Sequence, residues 1–186
     1  MNRTPTLRLI RGDLDRVLRI GNAVIQIAPL DRPPFAVDAV AVEQDTALVL
    51  DEEPQLYAPG SSLSELGSEM EHFSEPAPGS VVVQRGRPKR LYAIIHDLEQ
   101  EPTWRSEWVL TALENLLRLA ERQSLRAIAV PLLGCRFGKM ESWRFIDLLC
   151  QALQQSPPSL RLKLWLIAPR YETHALLVRL ERCRSA

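Results

Sequence analysis

The chain has 186 residues, 46% of them hydrophobic and 25% charged, which suits one soluble globular domain with a sizeable core. Its 23 basic and 23 acidic residues cancel, so there is no general electrostatic signal for nucleic acid or an anionic membrane. Three cysteines without a Cys-x-x-Cys pair, and three histidines without ligand spacing, predict reduced thiols and no metal site. The N-terminus lacks the apolar core of a signal peptide, and no apolar run reaches membrane-spanning length, so the expected location is the cytoplasm.

In chain order, Leu7-Arg-Leu-Ile10 alternates and ends at Gly12-Asp13, a strand and a turn. Asp15 to Ile20 fits a short helix or an extended link, and Ala23 to Ile27 fits a strand closed by Ala28-Pro29. The adjacent Pro33 and Pro34 force a loop over residues 31–35. Asp38 to Val42 reads as a buried strand ending in Glu43-Gln-Asp-Thr46. Residues 48–79 form an irregular, Pro-rich, acidic segment, within which Ser62 to Phe73 carries a capping-box spacing (Ser62, Glu65) and an apolar stripe. Ser80 to Gln84 and Leu91 to His96 flank the basic turn Arg85, Arg87, Lys89, Arg90, predicting a hairpin whose turn is a solvated one. Thr103 to Gln123 has the clearest helical stripe, Ser142 to Gln154 is a second helix, Leu160 to Ile167 a strand, and Tyr171 to Arg184 a terminal helix.

The run Ala127 to Leu133 is almost wholly apolar, as in a strand buried on both faces of a parallel sheet. It stops at Gly134-Cys-Arg-Phe-Gly138, and the next helix starts near Glu141. A strand, a glycine-containing loop and a helix is the arrangement by which α/β proteins bind ligands at the carboxyl ends of their strands. The alternation predicts an α/β fold: three α/β/α layers around a mixed central sheet.

From about Ala23 onwards this order resembles the macro domain, the ADP-ribose-binding module. The likeness rests on Asp38-Ala-Val-Ala41, on Leu91-Tyr-Ala-Ile-Ile-His96 followed by a long helix, and on Ala127-Ile-Ala-Val-Pro-Leu-Leu-Gly-Cys-Arg-Phe-Gly138. It implies one macro-domain-like unit over residues 1–186, with 1–22 as an N-terminal strand and extension. The early motifs depart from the family. Val42-Glu-Gln-Asp45 stands where the family has Asn-Ala-Ala-Asn, so Asp45 takes the place of the asparagine that holds the distal ribose and assists any catalysis. Asp31 is the nearest residue to the adenine-binding aspartate, Gly60, Ser61, Ser62 and Leu63 remain of the first glycine loop, and Arg136 stands at or near a glycine of the second.

The resemblance implies that ADP-ribose or a related nucleotide binds between two loops. Asp31, Asp45, Gly60, Ser61, Ser62, Leu63, Gly134, Cys135, Arg136, Phe137 and Gly138 are the candidate contacts, and Asp45 is the candidate catalytic residue. Arg136 has two readings: a phosphate ligand, as a guanidinium suits, or a plug paired with Asp45 or Glu43. His96 reads as a satisfied structural histidine, Asp45 as a ligand contact or a turn cap, and Cys135 as a small apolar residue rather than a nucleophile. Three functions follow in order: a nucleotide-binding module; a closed, degenerate pocket serving protein contact or homo-oligomerisation; and an ADP-ribosyl hydrolase. No cofactor is implied.

Overall fold

The computed structural model describes residues 16–50, 76–156 and 159–184. The expected strand at Leu7–Ile10, the helix over Ser62–Phe73 and the loop of Gly60, Ser61, Ser62 and Leu63 lie outside these residues.

Seven strands of the described residues form one mixed sheet: β1 Val17–Ile20, β2 Ala23–Ala28, β3 Ala39–Asp45, β4 Val81–Gln84, β5 Lys89–His96, β6 Ala127–Pro131 and β7 Lys163–Ile167. Among the described residues three helices accompany them: α1 Ser106–Arg122, α2 Ser142–Gln154 and α3 Thr173–Arg184. The strand order is β1-β2-β7-β6-β3-β5-β4. The five inner strands are parallel, and β1 and β4 close the two edges in antiparallel pairing. The expected hairpin is β4–β5, with Val81 opposite Ala93 and Gln84 opposite Arg90.

Of residues 15–20, open between helix and link in the sequence, Val17–Ile20 are strand β1. Its side chains alternate, Leu18 and Ile20 inward and Val17 and Arg19 outward, a period that only a half-buried edge strand satisfies. The last strand and the last helix start later than the sequence suggests, at Lys163 and Thr173.

One face of the sheet carries the three described helices. Ile25, Ile27, Ala39, Ala41, Leu91, Ala93, Ile128 and Val130 pack there against Val109, Leu113 and Leu116 of α1, Phe145 and Leu149 of α2, and Leu177 and Leu180 of α3. The period of two sends the alternate residues to the other face. There Val40, Ala129 and Trp165 gather with Leu30, Phe35 and Val37, and Val42, Tyr92 and Ile94 with Leu48. Trp165, 1% exposed, donates its indole N–H to the Ala28 carbonyl at 3.0 Å, so its one polar atom is satisfied.

Helices α2 and α3 are tied together twice. Arg179 grips Asp147 with two guanidinium nitrogens, at 2.7 and 2.5 Å. Cys150 and Cys183 form a disulfide across 33 residues of sequence. The expectation of three reduced thiols is therefore corrected: Cys135 is the one free cysteine among the described residues. Pairing depends on which faces of two helices meet, which cysteine spacing does not encode.

Candidate ligand cleft

Parallel strands deliver their carboxyl ends to one edge of the sheet. A cleft of about 480 Å³ opens there, lined on one side by residues 131–142 and on the other by Ile167, Pro169, Tyr171 and Glu172, with Glu43 within. The loop after β6 is tightly wound. Gly134 has φ +79°, a conformation that favours glycine, and the Met140 N–H closes the loop onto the Gly134 carbonyl at 2.9 Å. A Cβ on Gly138 would stand 2.7 Å from that carbonyl and 2.8 Å from the Trp104 indole. Gly138 is thus required by close packing.

Glu43 is the buried centre of the cleft. In β3 it shares the helix-facing side with Ala39 and Ala41, and it is 6% exposed. A carboxylate so placed needs partners, and it has two. Oε1 is hydrogen-bonded to Nε2 of His96, the last residue of β5, at 2.6 Å, and Oε2 accepts the Gly134 N–H at 3.0 Å. One side chain thereby joins the ends of two strands to the loop after a third. His96, 2% exposed, meets Phe137 edge-on, with ring centroids 6.3 Å apart. The Arg136 guanidinium lies over the Phe137 ring at 4.9 Å, within cation–π range. Glu43, His96, Phe137 and Arg136 form a continuous row from the interior to the mouth.

The next two residues of β3 are also buried and polar, and each holds its own turn. Gln44 donates to the Leu50 carbonyl at 2.7 Å and accepts the Leu50 N–H at 3.1 Å. Asp45 Oδ1 accepts the N–H groups of Ala47 at 2.7 Å and Val49 at 3.3 Å. Together they stabilise a turn in which Leu48 has φ +57°. Asp45 is fully buried, and its Oδ2 has no hydrogen-bond partner among the described residues.

Of the residues singled out in the sequence, Cys135, Arg136 and Phe137 line the cleft, and Gly134 and Gly138 shape its loop. Asp31 lies at the surface, where Arg170 pairs with it at 2.8 Å. Asp45 is turned into the 45–50 segment and is not among the cleft-lining residues. The histidine reading stands, since His96 is a partnered, buried residue. Lys139, Ser142, Tyr171 and Glu172 of the cleft were not singled out, and Glu43 entered only as a conceivable partner of Arg136. A carboxylate directly after the buried apolar run Ala39–Val42 was the signal available.

The Cys135 thiol is pushed up to about 12, first by burial and then by the nearby charges of Glu43, Glu172 and Glu141, against a lowering hydrogen bond from Ser142. A thiol held protonated is a poor nucleophile. No group of His, Cys, Asp and Glu among the described residues has a metal-binding arrangement.

No family model and no curated protein sequence matches the chain. Its shape has solved counterparts. The Oceanobacillus iheyensis macrodomain with ADP superposes with a TM-score of 0.71 at 15% identity, covering 90% of this chain and 95% of the other. The Trypanosoma brucei macrodomain in complex with ADP gives 0.60 at 13% identity, with 86% and 68% covered. The macrodomain of Thermus aquaticus DarG gives 0.57 at 16% identity, with 79% and 99% covered. A mixed seven-stranded sheet in this order, with its cleft at the carboxyl ends of the parallel strands, is a macrodomain fold.

Proposed function

We propose that the cleft binds ADP-ribose or a related nucleotide. The observation that carries this reading is a cavity of about 480 Å³ at the carboxyl ends of β3, β6 and β7, with a cation and an aromatic ring at its mouth. That volume lies within the range of about 300–1,000 Å³ usual for small-molecule sites. Arg136 and Lys139 offer positive charge to a diphosphate, and the half-buried ring of Phe137 in the cleft lining offers a surface to a ribose. Asp45 and Asp31 remain the proposed ribose and adenine contacts. Two solved proteins of this fold are described as bound to ADP, which supports the ligand class.

The second reading is a degenerate pocket that serves protein contact or self-association. It is favoured by Glu43, whose carboxylate takes the Gly134 N–H that a phosphate would otherwise use. Calorimetric titration with ADP-ribose, with AMP and ribose 5-phosphate as controls, separates the two. The binding reading predicts a micromolar Kd, about −8 kcal/mol, that weakens at least tenfold in Arg136→Ala. No heat and no thermal shift would sink it and leave the degenerate pocket.

A further inference from the structure

Positive charge converges at the pole of the sheet opposite the cleft, where the parallel strands begin. β5 opens with Lys89, just after Arg87 and Pro88, β6 is preceded by Arg126, and β7 opens with Lys163. The registers Ala127 to Lys163, Ala39 to Ile128 and Ala39 to Lys89 set these starts side by side across β7, β6, β3 and β5. Three strand spacings of about 4.8 Å make the row about 14 Å long. Within it lies a groove of about 710 Å³, lined by Asp38, Arg87, Lys89, Ser124 and Arg126 among others.

The charges in this groove are available. Arg87 and Arg126 are exposed, as are Arg85 and Arg122 beside them. None of these four has an acidic partner among the described residues, and Lys89 rests on the neutral side-chain oxygen of Gln123 at 2.6 Å. The groove's one carboxylate, Asp38, is turned onto the backbone, where Oδ2 accepts the N–H groups of Arg126 at 2.7 Å and Ala127 at 3.0 Å. Its charge is partly spent there.

We propose that this edge is a second binding site, which takes the sugar–phosphate backbone of a nucleic acid through Arg87, Lys89 and Arg126. A row along strand ends matches a linear polyanion, which carries a charge about every 3.4 Å along each strand of a duplex. A bilayer surface fits less well. Membrane-bound basic faces add apolar anchors, and the exposed large apolar residues of the described chain, Val17, Val49, Leu98, Trp143 and Tyr171, are absent from the groove's lining. The zero net charge of the whole chain does not oppose this, because the field that matters is local and screened within about 10 Å. The groove offers the backbone its charges and no helix or strand to a base edge, so the binding is independent of sequence.

The test is fluorescence anisotropy of the full chain with a labelled DNA duplex of about 20 base pairs and with single-stranded DNA and RNA, titrated at several salt concentrations. Three phosphate contacts predict a log–log salt slope of about −2.7 on duplex, so a fourfold rise in salt weakens binding about 40-fold. The variant Arg87→Ala/Lys89→Ala/Arg126→Ala removes the slope and weakens binding at least tenfold. A control of equal charge change, Arg16→Ala/Arg144→Ala/Arg170→Ala, binds as the native chain does, and circular dichroism verifies that both variants are folded. Absence of binding at low salt, or equal binding by the groove variant, overturns the proposal. So does tighter association with anionic vesicles than with any nucleic acid. Saturating ADP-ribose leaves this binding unchanged, so the site stands or falls apart from the cleft.

Discussion

Replacing Glu43 probes the joint on which the cleft is built. Glu43→Ala removes the acceptor of two hydrogen bonds, at 2.6 Å to His96 and 3.0 Å to the Gly134 N–H, in a site where the Glu43 and His96 side chains are 7% and 3% exposed. Each buried partner left without its bond costs about 1–3 kcal/mol, and loss of one member of a buried pair costs about 3–5 kcal/mol in all. Glu43→Gln keeps the shape: its amide oxygen accepts the Gly134 N–H and its NH2 donates to Nε2 of His96 in the other neutral tautomer, so it loses charge assistance, about 1–2 kcal/mol. The expected order of stability is native, then Gln, then Ala. Urea unfolding followed by tryptophan fluorescence measures it. With a slope of about 2 kcal/mol per molar, the Ala variant should lose about 2 M in midpoint at unchanged slope. An Ala variant within about 0.5 kcal/mol of the native chain would refute the view that Glu43 holds the strand ends together. The same variants report on the ligand. Removing a unit negative charge about 4 Å from a bound phosphate is worth about 1 kcal/mol in water, so Glu43→Gln should bind ADP-ribose about fivefold tighter.

Cys135 should react with iodoacetamide at a rate that keeps rising with pH beyond 9, without the plateau of an ordinary thiol, because its thiolate forms only near 12. The matching stability effect has a definite sign: a folded pKa raised from 9.0 leaves stability intact below pH 9 and erodes it between pH 9 and about 12, an erosion that Cys135→Ala removes. Reduction of Cys150–Cys183, which closes a loop of 33 residues, should cost about 3–4 kcal/mol by the chain-entropy relation. Cys150→Ser/Cys183→Ser should lose the same amount and become insensitive to reductant; native protein whose melting point ignores reductant would contradict the bridge. Asp45→Ala strips the acceptor from the Ala47 and Val49 N–H groups. It should cost about 1–3 kcal/mol even without ligand, and an unchanged urea midpoint would remove the turn-holding role.

Local pattern carried the elements, and long-range geometry carried the site. Helix α2 matches the apolar stripe of its sequence, Trp143, Ile146, Leu149, Cys150 and Leu153, because the last four turn to the core. Trp143, the one member of the stripe at the helix start, stays 51% exposed, with Arg179 over its ring. Strand β6 was plain because a fully buried parallel strand needs nothing but apolar residues. β1 was ambiguous because four alternating residues hold too little period to choose between helix and strand. The Glu43–His96 pair spans 53 residues and depends on the β3–β5 register, which shifts between Gln44 and Asp45. The basic groove likewise joins Arg87 and Lys89 to Arg126, so the turn that read as a solvated cluster becomes one wall of a groove only once β5 and β6 flank β3.

The most direct test of the cleft is a titration of the 15N-labelled chain with ADP-ribose, followed amide by amide. A ligand in the cleft shifts Gly134, Arg136, Phe137, Ser142 and Tyr171 together, with one saturating curve at micromolar concentration. Spectra unchanged up to millimolar ligand, or shifts confined to Arg87, Ser124 and Arg126 at the other pole, would contradict it.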